Sequence, residues 1–113
     1  MTKARLGITA VAAAAALTIA VAAPSTGATT SKTVSVKDDF FGPKKLTITK
    51  GSKVTWVWKG KERHNVAVAN GPSNFRFGTR KKGSKAHTFT KRGTYSIVCT
   101  IHAPDMHMTI KVK

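Results

Sequence analysis

Hydrophobic and polar positions follow two different patterns in this chain. From Leu6 to Ala23 apolar residues run almost unbroken, with only Gly7, Thr9 and Thr18 interrupting. Beyond residue 30 no stretch keeps a 3.6-residue period. Short β-branched and aromatic runs recur there instead, between Gly, Pro and Asn punctuation. These runs predict strands at about 33–37, 44–50, 53–59, 64–69, 85–90, 94–99 and 107–112. Tight turns are expected at Lys50-Gly51-Ser52 and Lys91-Arg92-Gly93, where glycine takes conformations that other residues resist. Alternation is clearest near the end. Tyr95, Ile97 and Cys99 share one face, and Met108, Ile110 and Val112 alternate with Thr109, Lys111 and Lys113. About seven short strands in some 80 residues predict an all-β antiparallel sandwich. The segment Asn70–Ser84 is long for a hairpin connection and carries Arg76, Arg80, Lys81 and Lys82, which predicts a functional loop.

The apolar run at the start has its own explanation. Lys3 and Arg5 form a short basic region before it, and Pro24-Ser25-Thr26-Gly27-Ala28 supplies small residues after it. That order predicts a secretory signal peptide over residues 1–29, cleaved near Ala23 or Ala28, and a mature domain over 30–113. An uncleaved anchor is the alternative, disfavoured because alanine is weakly apolar for spanning lipid. Lys3 and Arg5 are not a twin-arginine pair, so the general secretory route is expected. The protein would then be periplasmic, bound to the cell envelope, or extracellular.

The whole chain of 113 residues leaves room for one compact domain, which excludes a multidomain enzyme. A domain of the mature size is marginal without a staple, and secreted domains of that size usually recruit disulfides. Cys99 is the only cysteine, so no bridge can form within the chain. A lone cysteine in an oxidising compartment is a thiol bound to a partner, a reactive thiol or a metal ligand.

Its neighbours decide among these. Cys99-Thr100-Ile101-His102-Ala103-Pro104-Asp105-Met106 gathers a thiolate, an imidazole and a thioether at the link between the last two strands. A second imidazole, His64, begins an earlier strand. Thiolate and thioether are soft ligands, and imidazole suits copper. Two His and one Cys in a plane, with a weak axial Met, make the blue-copper donor set. Pro104 stiffens the span from His102 to Met106.

Here the residues after position 30 resemble the cupredoxins, the plastocyanin/azurin-like and amicyanin-like type 1 blue copper proteins. The resemblance rests on Phe41-Gly42-Pro43, Gly51-Ser52-Lys53-Val54-Thr55-Trp56, His64-Asn65-Val66, and Gly93-Thr94-Tyr95 running through Cys99 and His102 to Met106. It implies a Greek-key β-sandwich holding one mononuclear copper. His64, Cys99 and His102 would be the equatorial ligands and Met106 the axial one, with Asn65 tying the two ligand loops together. Met108 and His107 are rival axial candidates. Strand parity puts Met108 on the buried face with Ile110 and Val112, which favours Met106.

The implied function is one-electron transfer by Cu(II)/Cu(I) cycling. The alternative is copper carriage without a dedicated electron partner. His102 would be the electron port, beside an apolar patch that includes Ala103 and Pro104. No enzyme is expected: few acidic residues are available to support a Cys-His hydrolase, and no His-x-His motif provides for further copper ions. His87 is expected to face solvent, one or both of Trp56 and Trp58 to be core, and Tyr95 to be core or a strand-end residue. Removing Lys3 and Arg5 from the +16 total leaves +14 on the mature domain. Such a field predicts acidic redox partners docking near His102, or an anionic envelope surface. Nucleic acid is not expected for an exported chain, and a monomer is expected.

Overall fold

The computed structural model describes residues 28–113. The predicted signal peptide therefore lies, apart from its last two residues, outside the described part. Among the described residues nine strands form: β1 (Ser31–Lys37), β2 (Phe40–Gly42), β3 (Lys45–Ile48), β4 (Lys53–Trp58), β5 (His64–Asn70), β6 (Arg76–Arg80), β7 (Gly83–Thr88), β8 (Gly93–Val98) and β9 (His107–Val112). They make a five-stranded sheet in the order β3-β9-β8-β5-β6 and a four-stranded sheet in the order β2-β1-β4-β7. The all-β sandwich expected from the alternation is present. Its pairing is mixed rather than purely antiparallel, because β1 runs parallel to β4 and β3 parallel to β9. Parallel neighbours cannot be joined by a tight turn, and the chain visits the opposite sheet between them. No helix of the described residues is long and apolar enough to cross a membrane.

The count of nine exceeds the seven expected for two physical reasons. Strand β2 is three residues long, too short for alternation to register. Strand β6 lies inside the segment expected to be a loop and is a polar edge strand whose terminal arginines mask its pattern. Asn70–Ser84 is thus largely a strand and the start of the next, turned at Lys81-Lys82. Its aromatic residues face inward: the ring centroids of Phe75 and Phe77 lie 5.5 and 5.8 Å from that of Trp56.

His87 also departs from expectation. It pairs directly opposite buried Val54, which places it on the inner face of its sheet. Its ring stacks on Phe75 at 4.0 Å and meets Phe89 edge-on at 4.8 Å. Burial there pushes its pKa below the usual imidazole value.

Between the sheets lies one core. Val34, Val36, Val54, Trp56 and Trp58 come from the smaller sheet, and Tyr95, Ile97, Met108, Ile110 and Val112 from the larger. Trp56, Trp58 and Tyr95 are core as the alternation predicts, and the Tyr95 hydroxyl donates to the Lys91 carbonyl at 2.9 Å. The registers bring the ends of β1, β4 and β8 and the starts of β5 and β9 to one end of the sandwich. Every candidate ligand sits at that end.

Candidate metal centre

His64 is the first residue of β5, where the strand register slips by one between His64 and Val66. A slip of this kind breaks alternation and re-aims side chains. Its effect is visible in burial: His64, Asn65, Val66 and Ala67 are buried in succession. The Trp58 indole N–H donates to the His64 carbonyl at 2.8 Å, fixing the backbone from the neighbouring sheet.

Asp38 fixes the ring. Its carboxylate lies 3.0 Å from His64 Nε2 and accepts the backbone N–H groups of Lys61, at 3.0 Å, and Glu62, at 2.9 Å. A Cβ on Gly60 would collide with this carboxylate, so glycine is required there. The amide of Lys61, the His64 ring and the amide of Glu62, in that order of effect, hold the Asp38 carboxyl at about 2, well below its ordinary value. With Nε2 engaged by Asp38, His64 presents Nδ1 to the centre.

Cys99 follows β8 and is fully buried. Its loop is closed by its own backbone. Cys99 N–H donates to the Met106 carbonyl at 3.0 Å, His102 N–H to the Cys99 carbonyl at 3.2 Å, and Met106 N–H to the His102 carbonyl at 3.2 Å. Asn65 ties this loop to β5. Its Oδ1 accepts Thr100 N–H and its Nδ2 donates to Thr100 Oγ1, both at 2.7 Å. The Asn65 backbone N–H approaches Cys99 Sγ at 3.5 Å. A donor to sulfur stabilises its negative charge and is one of the levers on a metal–thiolate potential.

Three donor atoms converge. Cys99 Sγ lies 3.9 Å from His64 Nδ1 and 3.7 Å from His102 Nδ1. The ligand atoms of all three residues lie within 4.8 Å of one another. An ion placed between them at ordinary tetrahedral-metal bond lengths, in a trigonal plane, would separate nitrogen from sulfur by about 3.8 Å. The measured spacings match that figure. Both histidines present their δ nitrogen, and the set of two imidazoles and one thiolate fits a single mononuclear type 1 copper.

The fourth expected residue, Met106, is fully buried at the end of the same loop. Met108 is buried with Ile110 and Val112, as its parity predicts. His107 is exposed and its Nδ1 donates to the Pro104 carbonyl at 3.0 Å, outside the cluster.

The carboxylates around the histidines are what the sequence did not disclose. Besides Asp38, Asp39 Oδ1 lies 3.4 Å and Glu62 Oε1 3.6 Å from His102 Nε2. Asp39 has φ +74°, the left-handed region that a short polar side chain tolerates in a two-residue turn. These acids are 26 or more positions from their imidazole partner, or lie in short turns, so no local spacing marks them. His102 itself is half-buried.

The acid response of the metal-free protein follows from Asp38. A depressed folded pKa contributes stability that is complete above the unfolded carboxylate range and is lost as pH falls. Between about pH 4 and about pH 2 the protein should therefore lose stability. Asp38→Asn should flatten this limb and lower stability at neutral pH, as read by urea unfolding at several pH values. An identical pH profile in the variant would contradict the assignment.

Comparison with known proteins agrees with this geometry. Residues 28–113 match the family of copper binding proteins described as plastocyanin/azurin. Among solved structures, a methionine-to-glutamine variant of amicyanin in the Cu(I) form is 26% identical with a TM-score of 0.65, covering 74% of this chain and 82% of that one. A proline-to-glycine amicyanin variant, reduced to Cu(I) at pH 4, is 29% identical with a TM-score of 0.60, covering 72% and 80%. A Cu-containing nitrite reductase from Thermus scotoductus SA-01 is 30% identical with a TM-score of 0.62 over 72% of this chain, but only 22% of the reductase is covered. No curated protein matches the chain.

Proposed function

The chain belongs to the plastocyanin/azurin family of copper-binding proteins, and from that premise we infer that it is an exported one-electron carrier with no substrate chemistry of its own. The observation that carries this reading is the convergence of two δ nitrogens and one sulfur in a buried, hydrogen-bonded frame. Copper bound there would supply a Cu(II)/Cu(I) couple. His64, Cys99 and His102 would hold it, with the thioether of the buried Met106 as a weaker fourth donor.

The frame governs how much must move when an electron arrives. Asp38 clamps His64, Asn65 clamps the Cys99 loop, and three backbone hydrogen bonds close that loop on itself. Ligands so held cannot relax far, which favours rapid electron exchange. His102 is the half-buried member of the set and the natural electron port. Phe40 and Ile101 are the exposed large hydrophobic residues of the described structure, and Ile101 adjoins that port. A small apolar patch of this kind suits weak, quickly released partners.

Several features support a carrier over an enzyme. A surface hollow of about 310 Å³ is lined by Ala67, Val68, Asn74, Phe75 and Arg76, none of them a candidate ligand. The sequence offers no His-x-His pair for additional copper ions. The likeness to the nitrite reductase covers one fifth or so of that enzyme. The leader-like composition of residues 1–29 supports cleavage and export by the general secretory route, leaving 30–113 as the working domain.

Protein-film voltammetry tests the reading. A reversible one-electron wave, with copper retained against a chelator over many cycles, is the expected result. Copper leaving for a chelator faster than the protein can be reduced would instead indicate carriage. Met106→Leu should keep copper bound while raising its potential and changing its visible spectrum. Loss of all binding in that variant would contradict a weak axial role.

A further inference from the structure

The acidic side chains of this protein are sorted along the sandwich. All four carboxylates, Asp38, Asp39, Glu62 and Asp105, lie in loops at the copper end, mixed with basic residues. The opposite end contains cations alone among the described residues. Lys50 lies in the β3–β4 turn and Lys53 opens β4, the β7–β8 turn carries Lys91 and Arg92, and Lys113 follows the last strand, all exposed. Backbone contacts draw these segments together. Lys50 N–H donates to the Lys113 carbonyl at 2.9 Å, Gly51 N–H to the Phe89 carbonyl at 2.6 Å, and Gly93 pairs with Val112.

The chain also enters the domain at this pole. Thr49 Oγ1 donates to the Ala28 carbonyl at 2.6 Å, and Thr30 N–H donates to Ser52 Oγ at 2.9 Å. The residues between Ala23, where the apolar run ends, and Ala28 can span at most about 18 Å when fully extended. While that run is still in a bilayer, the cationic pole is therefore held close to the lipid headgroups, within roughly two screening lengths at physiological salt.

We propose that the pole formed by Lys50, Lys53, Lys91, Arg92 and Lys113 is a docking surface for an anionic phospholipid membrane, holding the copper end outward toward its redox partners. Charge complementarity supplies the attraction, and the point of chain entry presents this pole to the membrane before the leader is cleaved. The exposed basic side chains would meet the headgroups together, because they occupy neighbouring turns at one end. The proposal uses the inferred export only to place the protein beside a membrane, and it does not depend on copper.

The test is co-sedimentation of the protein, with and without copper, on vesicles of phosphatidylglycerol mixed into phosphatidylcholine and on phosphatidylcholine alone. Binding to the anionic vesicles only, weakened by salt, is expected. Each cation near such a surface strengthens partition roughly fivefold, so Lys50→Gln, Lys91→Gln and Arg92→Gln together should weaken it about a hundredfold. A control with the same charge loss at the copper end, Lys59→Gln, Lys81→Gln and Lys82→Gln, should retain most of the binding. Equal loss in both triple variants would overturn the proposal in favour of diffuse charge. Equal binding to uncharged vesicles would overturn it in favour of the apolar N-terminal run. Binding to soluble polyglutamate but not to the anionic vesicles would also overturn it, in favour of an anionic polymer. Because the metal-free protein is measured too, failure here leaves the copper reading intact.

Discussion

Copper loading is expected to raise the thermal unfolding midpoint of this domain by roughly 15–30 °C when free copper exceeds its dissociation constant about a thousandfold. A ligand that binds only the folded state stabilises it by about 4 kcal/mol at that excess. For a domain under 100 residues each kcal/mol moves the midpoint by about 4–8 °C. The structure says why the folded state alone should bind. The donors come from the start of β5 and from the loop after β8, and Cys99 is 35 residues from His64. No short peptide segment can reproduce that spacing. The effect should be large here because the only cysteine cannot form an internal bridge, so a metal joining two loops takes the place of a cross-link. Calorimetry of the metal-free and loaded protein measures it directly. A midpoint unmoved by copper would mean that the cluster does not hold the ion.

Asn65→Ala should destabilise the metal-free domain by about 1–3 kcal/mol and loosen the copper site in the loaded one. Asn65 is 2% exposed, and its side chain makes two hydrogen bonds of 2.7 Å to Thr100. Each such bond contributes about 0.5–1.5 kcal/mol net. Thr100 is exposed and can regain water, which limits the loss to that range. The second consequence is positional. Without the clamp, the loop carrying Cys99 and His102 is no longer tied to the strand carrying His64. Copper should then dissociate faster, and the visible bands should broaden. Urea unfolding and chelator-driven copper release read the two effects separately. A loss under about 0.5 kcal/mol with unchanged release would show that the clamp is not structural.

The contrast between Asn65 and Asp38 shows what could be read in advance. Asn65 adjoins His64, so its place was visible beside a candidate ligand, and the structure puts it against Thr100. Asp38 lies in another sheet's turn, 26 positions away from the ring it holds, and only the parallel pairing of β1 with β4 brings them together. The same division runs through the fold. Strands with one buried face, such as β4 and β9, announce themselves by alternation. Edge strand β6 does not, because Phe77 is its one large apolar residue and arginines stand at both its ends. The inward place of His87 has no local signal, because Phe75, which stacks on it, comes from a segment without visible pattern. The gathering of carboxylates around His64 and His102 was equally hidden, since charge totals carry no geometry.

That gathering alters the meaning of the strong basic charge. The sequence suggests a uniformly cationic body seeking acidic partners near His102. In the structure, Asp39 and Glu62 stand beside His102, and the far pole carries no acidic side chain among the described residues. An acidic partner would meet a mixed surface at the port, so steering by the far pole would orient the molecule rather than pull a partner onto the site.

The central claim is that Cys99, His64 and His102 hold one copper through a thiolate bond. Titration of Cu(II) into the metal-free protein, followed by visible absorption, tests it most directly. The expected result is an intense thiolate-to-copper charge-transfer band that saturates at one equivalent and is abolished in Cys99→Ser. A colourless complex, or a band that persists in Cys99→Ser, would contradict it.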